Sequence, residues 1–381
     1  MAEAQTIRNC RAVVPGQVVE RCTIVIQGGC IAAAGAEVEA RGEVFDAGGM
    51  LAVPGFVDAH VHGAAGHDFN EGSVEAAQAV LRAHARRGTT ALLATLYADG
   101  VEKMLKAITN LADLPQPEDG AEMVGIYLEG PFLNKARRGA QPEEHIIAPD
   151  LALFAEMVEA GKGKVRVIAV APELPGALEL IAAARERGIR ASMAHSDATY
   201  AQVKEAVAAG LSQVTHLFDG MRGVHHREPG AAGAGLLLEA LDVELIADGI
   251  HVLPEVAAMS IRLKGTERVM PISDALALAG LPPGRYEFAG QPAEVGDGWA
   301  RLIEPGTPVS VCTMDRAFRN LAAWTALPLP QVAAMTSLNA ARAAGVSSRK
   351  GSLEAGKDAD VVLLREDLGL EAVYLRGRRL A

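Results

Sequence analysis

The chain has 381 residues, of which 50% are hydrophobic, so it is long and apolar enough for one α/β barrel with a small additional unit. Its formal net charge of −11 argues against a nucleic-acid-binding protein, which needs a concentrated basic face. The first residues lack the apolar core of a signal peptide and no apolar run approaches ~18 residues, so we expect a cytoplasmic protein with no membrane partner.

Both ends of the chain have the pattern of short strands joined by turns. The first residues alternate β-branched runs with glycine turns in RAVVPGQVVE and CTIVIQGGCIAAAG, and the last residues do so in GSLEAGKDADVVLLRE and LEAVYLRGRRL. We therefore predict that residues 1–53 and 346–381 form one small β domain.

Residues 54–345 instead repeat an apolar strand, a polar loop and an amphipathic helix, as in SVEAAQAVLRAHARRG and TYAQVKEAVAAG. This order is typical of a parallel sheet, and eight such strands close a (β/α)8 barrel. The predicted strands span residues 55–63, 89–97, 123–131, 164–173, 189–197, 212–220, 243–251 and 268–275. Terminal helices over residues 314–345 lead back to the β domain.

The four cysteines are separated in the sequence from the histidine and acid clusters. Cys10, Cys22, Cys30 and Cys312 form no C-x-x-C pair. We interpret them as reduced structural thiols, with a disulfide or a zinc knuckle as the alternatives.

The first predicted barrel strand carries two histidines in PGFVDAHVHG. His60 and His62 lie two residues apart on a strand and therefore project from the same face. Two imidazoles on one face suit a metal ion, although a pair of structural histidines near a loop fits this motif equally well.

Later strands add an acid and two more histidines. Glu129 follows an apolar strand in YLEGPF, and a carboxylate there needs a metal ion, a salt bridge or a helix-capping role. His195 in SMAHSDATY and His216 in VTHLFDGM end consecutive strands, which a barrel would place side by side. Together they form a His2Glu set, which is typical of a catalytic metal site.

Asp274 in PISDALALAG follows the eighth strand. A carboxylate there can take a proton from a metal-bound water and later deliver it to a leaving amine, so we predict that Asp274 is the general base. The alternative is an N-cap for the following helix.

Two further positions suit substrate binding. Arg227 in GVHHREPG offers a guanidinium fork for a phosphate or carboxylate, although a solvated loop arginine is the simpler interpretation. His251 in ADGIHV suits a hydrogen bond to a sugar hydroxyl, a further metal contact or a structural role.

Taken together, PGFVDAHVHG, LEGPFLN, the isolated His195 and His216, REPG, ADGIHV, SDA and GSLEAGKDADVVLL resemble the N-acetylglucosamine-6-phosphate deacetylase branch of the amidohydrolase superfamily. The resemblance covers essentially the whole chain. LEGPFLN and HHREPG are its most specific pieces, because His-x-His and GKDADVVL are shared by many other amidohydrolases.

The resemblance implies a fold and a metal site. The fold is α/β, a metal-bearing (β/α)8 barrel with a small β-sandwich built from both chain ends. The implied ligands of the principal metal are Glu129, His195 and His216, and the implied catalytic acid/base is Asp274. Because some members replace the first histidine pair and hold one metal, the retained His60 and His62 imply a second ion bridged by Glu129. We expect one or two divalent ions, zinc first, with iron, manganese or cobalt as alternatives.

The resemblance also implies substrate contacts. These are Ala140, Gln141, Asp219, Gly220, Arg227, His251, Cys312, Thr313 and Met314. Arg227 is expected to reach the phosphate of a neighbouring subunit's substrate, which implies a homodimer. Many relatives have histidine at Gln141 and Asn-Ala at Asp219-Gly220. A carboxylate near a phosphate is repulsive unless Asp219 points elsewhere or pairs with Arg222 or Arg227.

The sequence therefore predicts removal of the acetyl group from N-acetylglucosamine 6-phosphate, in amino sugar catabolism or recycling. A galactosamine, mannosamine or unphosphorylated substrate is an alternative. A cyclic amidase of the dihydroorotase or hydantoinase kind is less favoured, because those enzymes usually bridge their metals with a carboxylated lysine and no strand here ends in one. A barrel without catalysis is the remaining alternative, but it should have lost ligands.

Overall fold

The computed structural model describes residues 4–288, 290–304 and 306–380. Five strands precede the barrel: β1 (Gln5–Val14), β2 (Gln17–Gln27), β3 (Cys30–Gly35), β4 (Glu43–Asp46) and β5 (Leu51–Pro54). The first barrel strand is β6 (Phe56–Val61), followed by a short ribbon of β7 (Gly63–Ala64) and β8 (His67–Asp68). The other barrel strands are β9 (Thr89–Tyr97), β10 (Glu122–Glu129), β11 (Val165–Val170), β12 (Arg190–Met193), β13 (Leu211–Val214), β14 (Asp242–Ile246) and β15 (Val269–Ile272).

Helices connect the barrel strands on the outside. They are α1 (Val74–Ala85), α2 (Val101–Ala112), α3 (Leu151–Ala160), α4 (Ala177–Glu186), α5 (Tyr200–Ala209), α6 (Gly230–Leu237) and α7 (Pro254–Lys264). Single 3-10 turns span Phe69–Glu71, Lys135–Arg137, Glu143–His145 and Thr266–Arg268. Local sequence explains several helix starts: Ser73 caps α1, and Thr199 and Gln202 form a capping box on α5.

The last quarter of the chain adds a second small sheet, three helices and the final strands. The sheet comprises β16 (Gly284–Phe288), β17 (Gln291–Gly296), β18 (Trp299–Leu302) and β19 (Pro308–Val309). The helices are α8 (Met314–Thr325), α9 (Leu329–Ala333) and α10 (Ala340–Ala343), with a π-helical segment, Ala334–Asn339, between the last two. The final strands are β20 (Val361–Leu364), β21 (Leu370–Leu375) and β22 (Arg378–Arg379).

The eight barrel strands are parallel and follow chain order from β6 to β15. The seam between β15 and β6 is held by the Asp274 amide, which donates to the His60 carbonyl at 3.0 Å, and by the His62 amide, which donates to the Ala275 carbonyl at 3.0 Å. The barrel is therefore nearly closed. This confirms the predicted fold class and all eight predicted strands.

Both chain ends meet in one sheet, in the order β22-β21-β20-β5-β1-β2-β3 with β4 on β1. The junction is antiparallel pairing of β5 with β20, which sets Val53 opposite Val362. The predicted pairing of the two ends is thus confirmed, while the boundaries at residues 53 and 346 stay a prediction. All four cysteines are free thiols, as predicted.

The antiparallel sheet β16–β19 was not among the predicted elements. Its alternating burial packs Ala293, Val295, Ala300 and Leu302 into a small separate core. The turn at Gly298 and the alternating run WARL carry a hairpin signal, but these strands lie between two barrel elements, where a helix-and-loop rhythm was expected. Among the described residues, no helix is long and apolar enough to span a lipid bilayer.

Candidate metal centre and active site

The six predicted metal and acid/base residues all lie at the carboxyl end of the barrel. The residues are His60, His62, Glu129, His195, His216 and Asp274. They lie on or just after strands β6, β10, β12, β13 and β15. Three of them adopt the left-handed backbone conformation just after their strands, with φ of 43° at His195, 27° at His216 and 47° at Asp274. Such a conformation is uncommon for residues with a Cβ and tends to cluster at functional sites.

Glu129 joins two histidines into the first donor group. Its Oε1 lies 2.9 Å from His195 Nε2 and 2.8 Å from His216 Nε2. The ligand atoms of these three residues lie within 4.8 Å of one another, and all three side chains are buried. This is the geometry that the strand-end pattern predicted.

His60, His62 and Asp274 form the second donor group, again within 4.8 Å. The two Nε2 atoms are 3.1 Å apart, and Asp274 Oδ1 lies 3.3 Å from His60 Nε2 and 3.2 Å from His62 Nε2. Glu129 Oε2 is 3.2 Å from His62 Nε2. Glu129 therefore contacts histidines of both groups, as a ligand shared by two ions would.

The remote ring nitrogens show which way the imidazoles face. His195 Nδ1 lies 2.9 Å from the Arg137 carbonyl and His216 Nδ1 lies 3.1 Å from the Asp219 carbonyl. Because a carbonyl oxygen only accepts, both Nδ1 atoms donate, and the Nε2 atoms are turned towards the centre. Metal-binding histidines are oriented in this way, so the donor set fits a divalent cation.

The electrostatics of the centre favour added positive charge. Burial would raise the pKa of Glu129, yet hydrogen bonds from His195, His216 and His62 hold it well below its usual range. Burial lowers the pKa of His62, but its contacts with Asp274 and Glu129 raise it to about 10. The pKa of His216 is likewise lowered by burial and raised to about 10 by Glu129. Nitrogens that retain a proton so strongly are in a field that also attracts a cation.

A cavity of about 380 Å³ opens above the two donor groups. Five predicted substrate residues line it: Ala140, Gln141, Asp219, Gly220 and His251. Its volume is in the range typical of small-molecule sites. Tyr97 and Leu276 line it as well, and the unpredicted sheet and its flanking loop contribute Phe288, Thr307, Pro308 and Ser310.

Gln141 is fixed at both ends of its amide. Its Oε1 accepts from the Ala98 backbone amide at 2.8 Å, and its Nε2 donates to Glu129 Oε2 at 2.7 Å. The amide therefore contacts the carboxylate between the donor groups. Its predicted role as a donor to the acetyl carbonyl stays a prediction.

Asp219 lines the cavity without a positively charged hydrogen-bond partner. Its Oδ2 is buried and finds no hydrogen-bond partner among the described residues, and burial raises the pKa of this carboxyl to about 6. Arg222 instead binds Asp197 at 2.6 Å, and Arg227 contacts His226 at 2.8 Å. The arginine pairing that would neutralise Asp219 is not formed.

His251 is held by a neighbouring acid. Its Nδ1 lies 2.7 Å from Asp248 Oδ2, and Asp248 Oδ1 accepts the His251 backbone amide at 2.9 Å. Burial lowers the pKa of His251, but Asp248 raises it above its usual value. His251 thus presents a fixed ring to the cavity, which suits a hydrogen bond to substrate.

The remaining predicted substrate residues lie outside this cavity. Arg227 is exposed, and Cys312, Thr313 and Met314 lead into α8 without being among the described residues that line the cavity. Their predicted roles stay predictions.

One buried acid near the site was not predicted. Glu244, in the middle of β14, lies 2.9 Å from His60 Nδ1. An acid within the apolar run VELIA was a readable signal, because a buried carboxylate must have partners. Glu244 lies within its strand and not at the strand end, so the strand-end pattern does not include it.

Comparison with known proteins places the chain in a family. The amidohydrolase family matches residues 51–380, and the chain belongs to it. This agrees with the barrel and the His and carboxylate groups described above.

Individual relatives narrow the comparison to sugar deacetylases. N-acetylglucosamine-6-phosphate deacetylase from Lysinibacillus sphaericus is 35% identical over 98% of this chain and 96% of its own length. N-acetylgalactosamine-6-phosphate deacetylase from Escherichia coli O157:H7 is also 35% identical, over 86% of this chain and 87% of its own. A structure of an Asp-to-Ala variant of N-acetyl-D-glucosamine-6-phosphate deacetylase from Mycobacterium smegmatis, in complex with N-acetyl-D-glucosamine-6-phosphate, is 32% identical with a TM-score of 0.92, covering 100% of this chain and 99% of that one. The resemblance predicted from motifs is confirmed.

Proposed function

We propose that this protein is a metal-dependent deacetylase that hydrolyses the acetamide of N-acetylglucosamine 6-phosphate to glucosamine 6-phosphate and acetate. One observation carries the proposal: two groups of imidazoles and carboxylates share Glu129 at the floor of a cavity large enough for an amino sugar. The relatives' activities agree with it.

Two sets of residues would hold the metal ions. Glu129, His195 and His216 would hold the principal metal, and His60 and His62 would hold a second, with zinc the first expectation and iron, manganese or cobalt the alternatives. When bound, a divalent cation supplies Lewis acidity at the acetyl carbonyl and acidifies water.

Asp274 has the position of the general base. It lines the cavity and contacts both histidines of the second group. Burial would raise its pKa, but His60 and His62 lower it below its usual range, so the group is held as the ionised carboxylate. It takes a proton from the attacking water and returns it to the nitrogen as the C–N bond breaks, which releases acetate and the free amine.

The identity of the sugar depends on Asp219. The glucosamine relative and the galactosamine relative both share 35% sequence identity with this chain, so sequence identity does not distinguish between these two sugars as substrates. A carboxylate in the cavity disfavours a nearby phosphate, which keeps unphosphorylated substrates as the second candidate. The cyclic amidase is disfavoured because no lysine is among the described cavity-lining residues.

The test is acetate release from N-acetylated glucosamine, galactosamine and mannosamine, each with and without a 6-phosphate. We expect the highest kcat/KM for N-acetylglucosamine 6-phosphate, loss of activity after chelation and recovery with Zn²⁺. Ring opening of a cyclic amide without acetate release from any sugar would overturn the proposal.

We also propose a cytoplasmic homodimer in which Arg227 completes the partner's site. The exposed position of Arg227 outside its own cavity supports this arrangement. The test mixes an Arg227→Ala variant with an inactive Asp274→Asn variant. Recovered activity in the mixture supports a shared site, and a monomer in sedimentation overturns it.

A further inference from the structure

Glu244 is a fully buried acid that the proposed chemistry does not use. It lies in β14 between Val243 and Leu245, and its side chain is 0% exposed. A carboxylate in such surroundings is retained only where donors compensate for the lost water.

Three donors surround this carboxylate. Oε2 lies 2.9 Å from His60 Nδ1 and accepts the His216 backbone amide at 3.2 Å. Oε1 accepts from Gln213 Nε2 at 2.6 Å. Gln213 cannot exchange its two amide ends, because its Oε1 already accepts from Arg190 Nε at 2.9 Å.

The contact with His60 selects a tautomer. Since a carboxylate accepts and does not donate, His60 Nδ1 carries a proton, so in the neutral ring the lone pair is on Nε2. That lone pair faces His62 Nε2 at 3.1 Å and Asp274 Oδ1 at 3.3 Å. Lone pairs this close are stable only with a proton or a cation between them.

The same oxygen reaches the other donor group. Glu244 Oε2 accepts a hydrogen bond from the backbone amide of His216. His216 has a left-handed backbone conformation, with φ of 27°, and its ring contacts Glu129. One carboxylate therefore orients a ring in the second group and anchors the backbone of a ligand in the first.

We propose that Glu244 is a positioning residue that holds His60 in the Nδ1–H tautomer, so that cation binding by the His60, His62 and Asp274 group depends on it. The proposal rests on the proposed metal-dependent function. Partners of this kind typically change metal affinity by about 10- to 100-fold.

The test compares Glu244→Gln with a matched control, Glu173→Gln. Glu173 also binds three donors, namely Asn134 Nδ2, Ser196 Oγ and the Asp197 amide, but none of them is an imidazole. Chelated proteins are reloaded with Zn²⁺, and stoichiometry and affinity are measured by competition with a chromophoric chelator.

We expect wild type and Glu173→Gln to bind two ions with affinities within about twofold, and Glu244→Gln to bind its second ion about 10- to 100-fold more weakly. A folded Glu244→Gln protein that binds both ions like wild type overturns the role of Glu244 alone. Wild-type protein that binds no Zn²⁺ overturns the proposed function instead.

A second measurement does not depend on how Glu244→Gln folds. In Zn²⁺-loaded wild type labelled with ¹⁵N-histidine, the His60 signal, assigned with a His60→Gln variant, should show a protonated Nδ1. An unprotonated Nδ1 at His60 overturns the proposal.

Discussion

Strand β10 carries a buried or half-buried acid at each end, and the two acids have different partners. Glu122, at its first residue, contacts Lys350 Nζ at 3.1 Å and Arg349 Nη1 at 2.9 Å. Glu129, at its last residue, contacts imidazoles. One end of the barrel supplies permanent cations, and the other supplies groups that exchange protons.

The acid at the first residue belongs to what we call the Lys350 cluster, which comprises Lys350, Arg349, Glu122, Asp358 and Asp360. Lys350 Nζ lies 2.6 Å from Asp360 and 2.8 Å from Asp358, and its side chain is only 1% exposed. The cluster ties the C-terminal segment to the barrel with two cations against three carboxylates, and Arg376 Nη1, 3.7 Å from Glu122 Oε2, supplies a third positive charge from the chain itself. This indicates a structural role, whereas the Glu129 end is balanced only by protons or a metal ion.

The variant that best distinguishes the catalytic end of the barrel from the structural end is Asp274→Asn at the cavity. Loss of the general base should lower kcat by about 10³-fold, because acid/base catalysis typically contributes 10²- to 10⁴-fold, while the amide preserves the shape. Steady-state kinetics and metal analysis check this. Near-normal turnover, or loss of metal from the Glu129 group, would contradict it.

Lys350→Met should instead affect stability. It leaves one buried and two partly buried carboxylates without their shared cation, so the free energy of unfolding should fall by ~3 kcal/mol with kcat per folded molecule unchanged. Denaturant titration measures it. Lys162→Met is the control, since its ion pair with Asp113 is more than half exposed and its loss should matter little.

The pH dependence of stability tests the same cluster. Burial would raise the pKa of Glu122, but Arg349 and Lys350 lower it to about 2 from 4.5. A lowered folded-state pKa stabilises the protein above the unfolded-state pKa, and this stabilisation is lost as the pH falls through the folded-state pKa. On the order of 3 kcal/mol should disappear between about pH 5 and pH 2. The difference in unfolding free energy between wild type and Glu122→Gln should shrink over that range, and a constant difference would contradict the assignment.

The smallest effect concerns Asp219 in the cavity. Asp219→Asn removes a negative charge that has no arginine partner, so KM for a 6-phosphorylated sugar should fall by about tenfold, or ~1.4 kcal/mol. KM for the same sugar without phosphate serves as the control and should stay within about twofold. Equal changes for both sugars would show that Asp219 does not face the phosphate.

Much of the fold and the donor set could be predicted because both follow from short stretches of sequence. The eight strands follow from apolar runs followed by helical periodicity, and the histidines and acids stand where those runs end. The sheet β16–β19 was missed because its short strands interrupt the rhythm that identified the barrel. Arg222 was considered as a partner of Asp219, but it binds Asp197, and residue type alone could not rank those two acids.

The sequence by itself therefore determined the kind of fold and the six ligand-competent residues, because periodicity and strand ends are short-range properties. Only the tertiary structure decided which atoms meet. Glu244 and His60 are 184 residues apart, and Glu129 and His216 are 87 apart. Such pairs come within hydrogen-bond distance because closure of the barrel brings all strand ends to one mouth, and no local pattern specifies the distances between them.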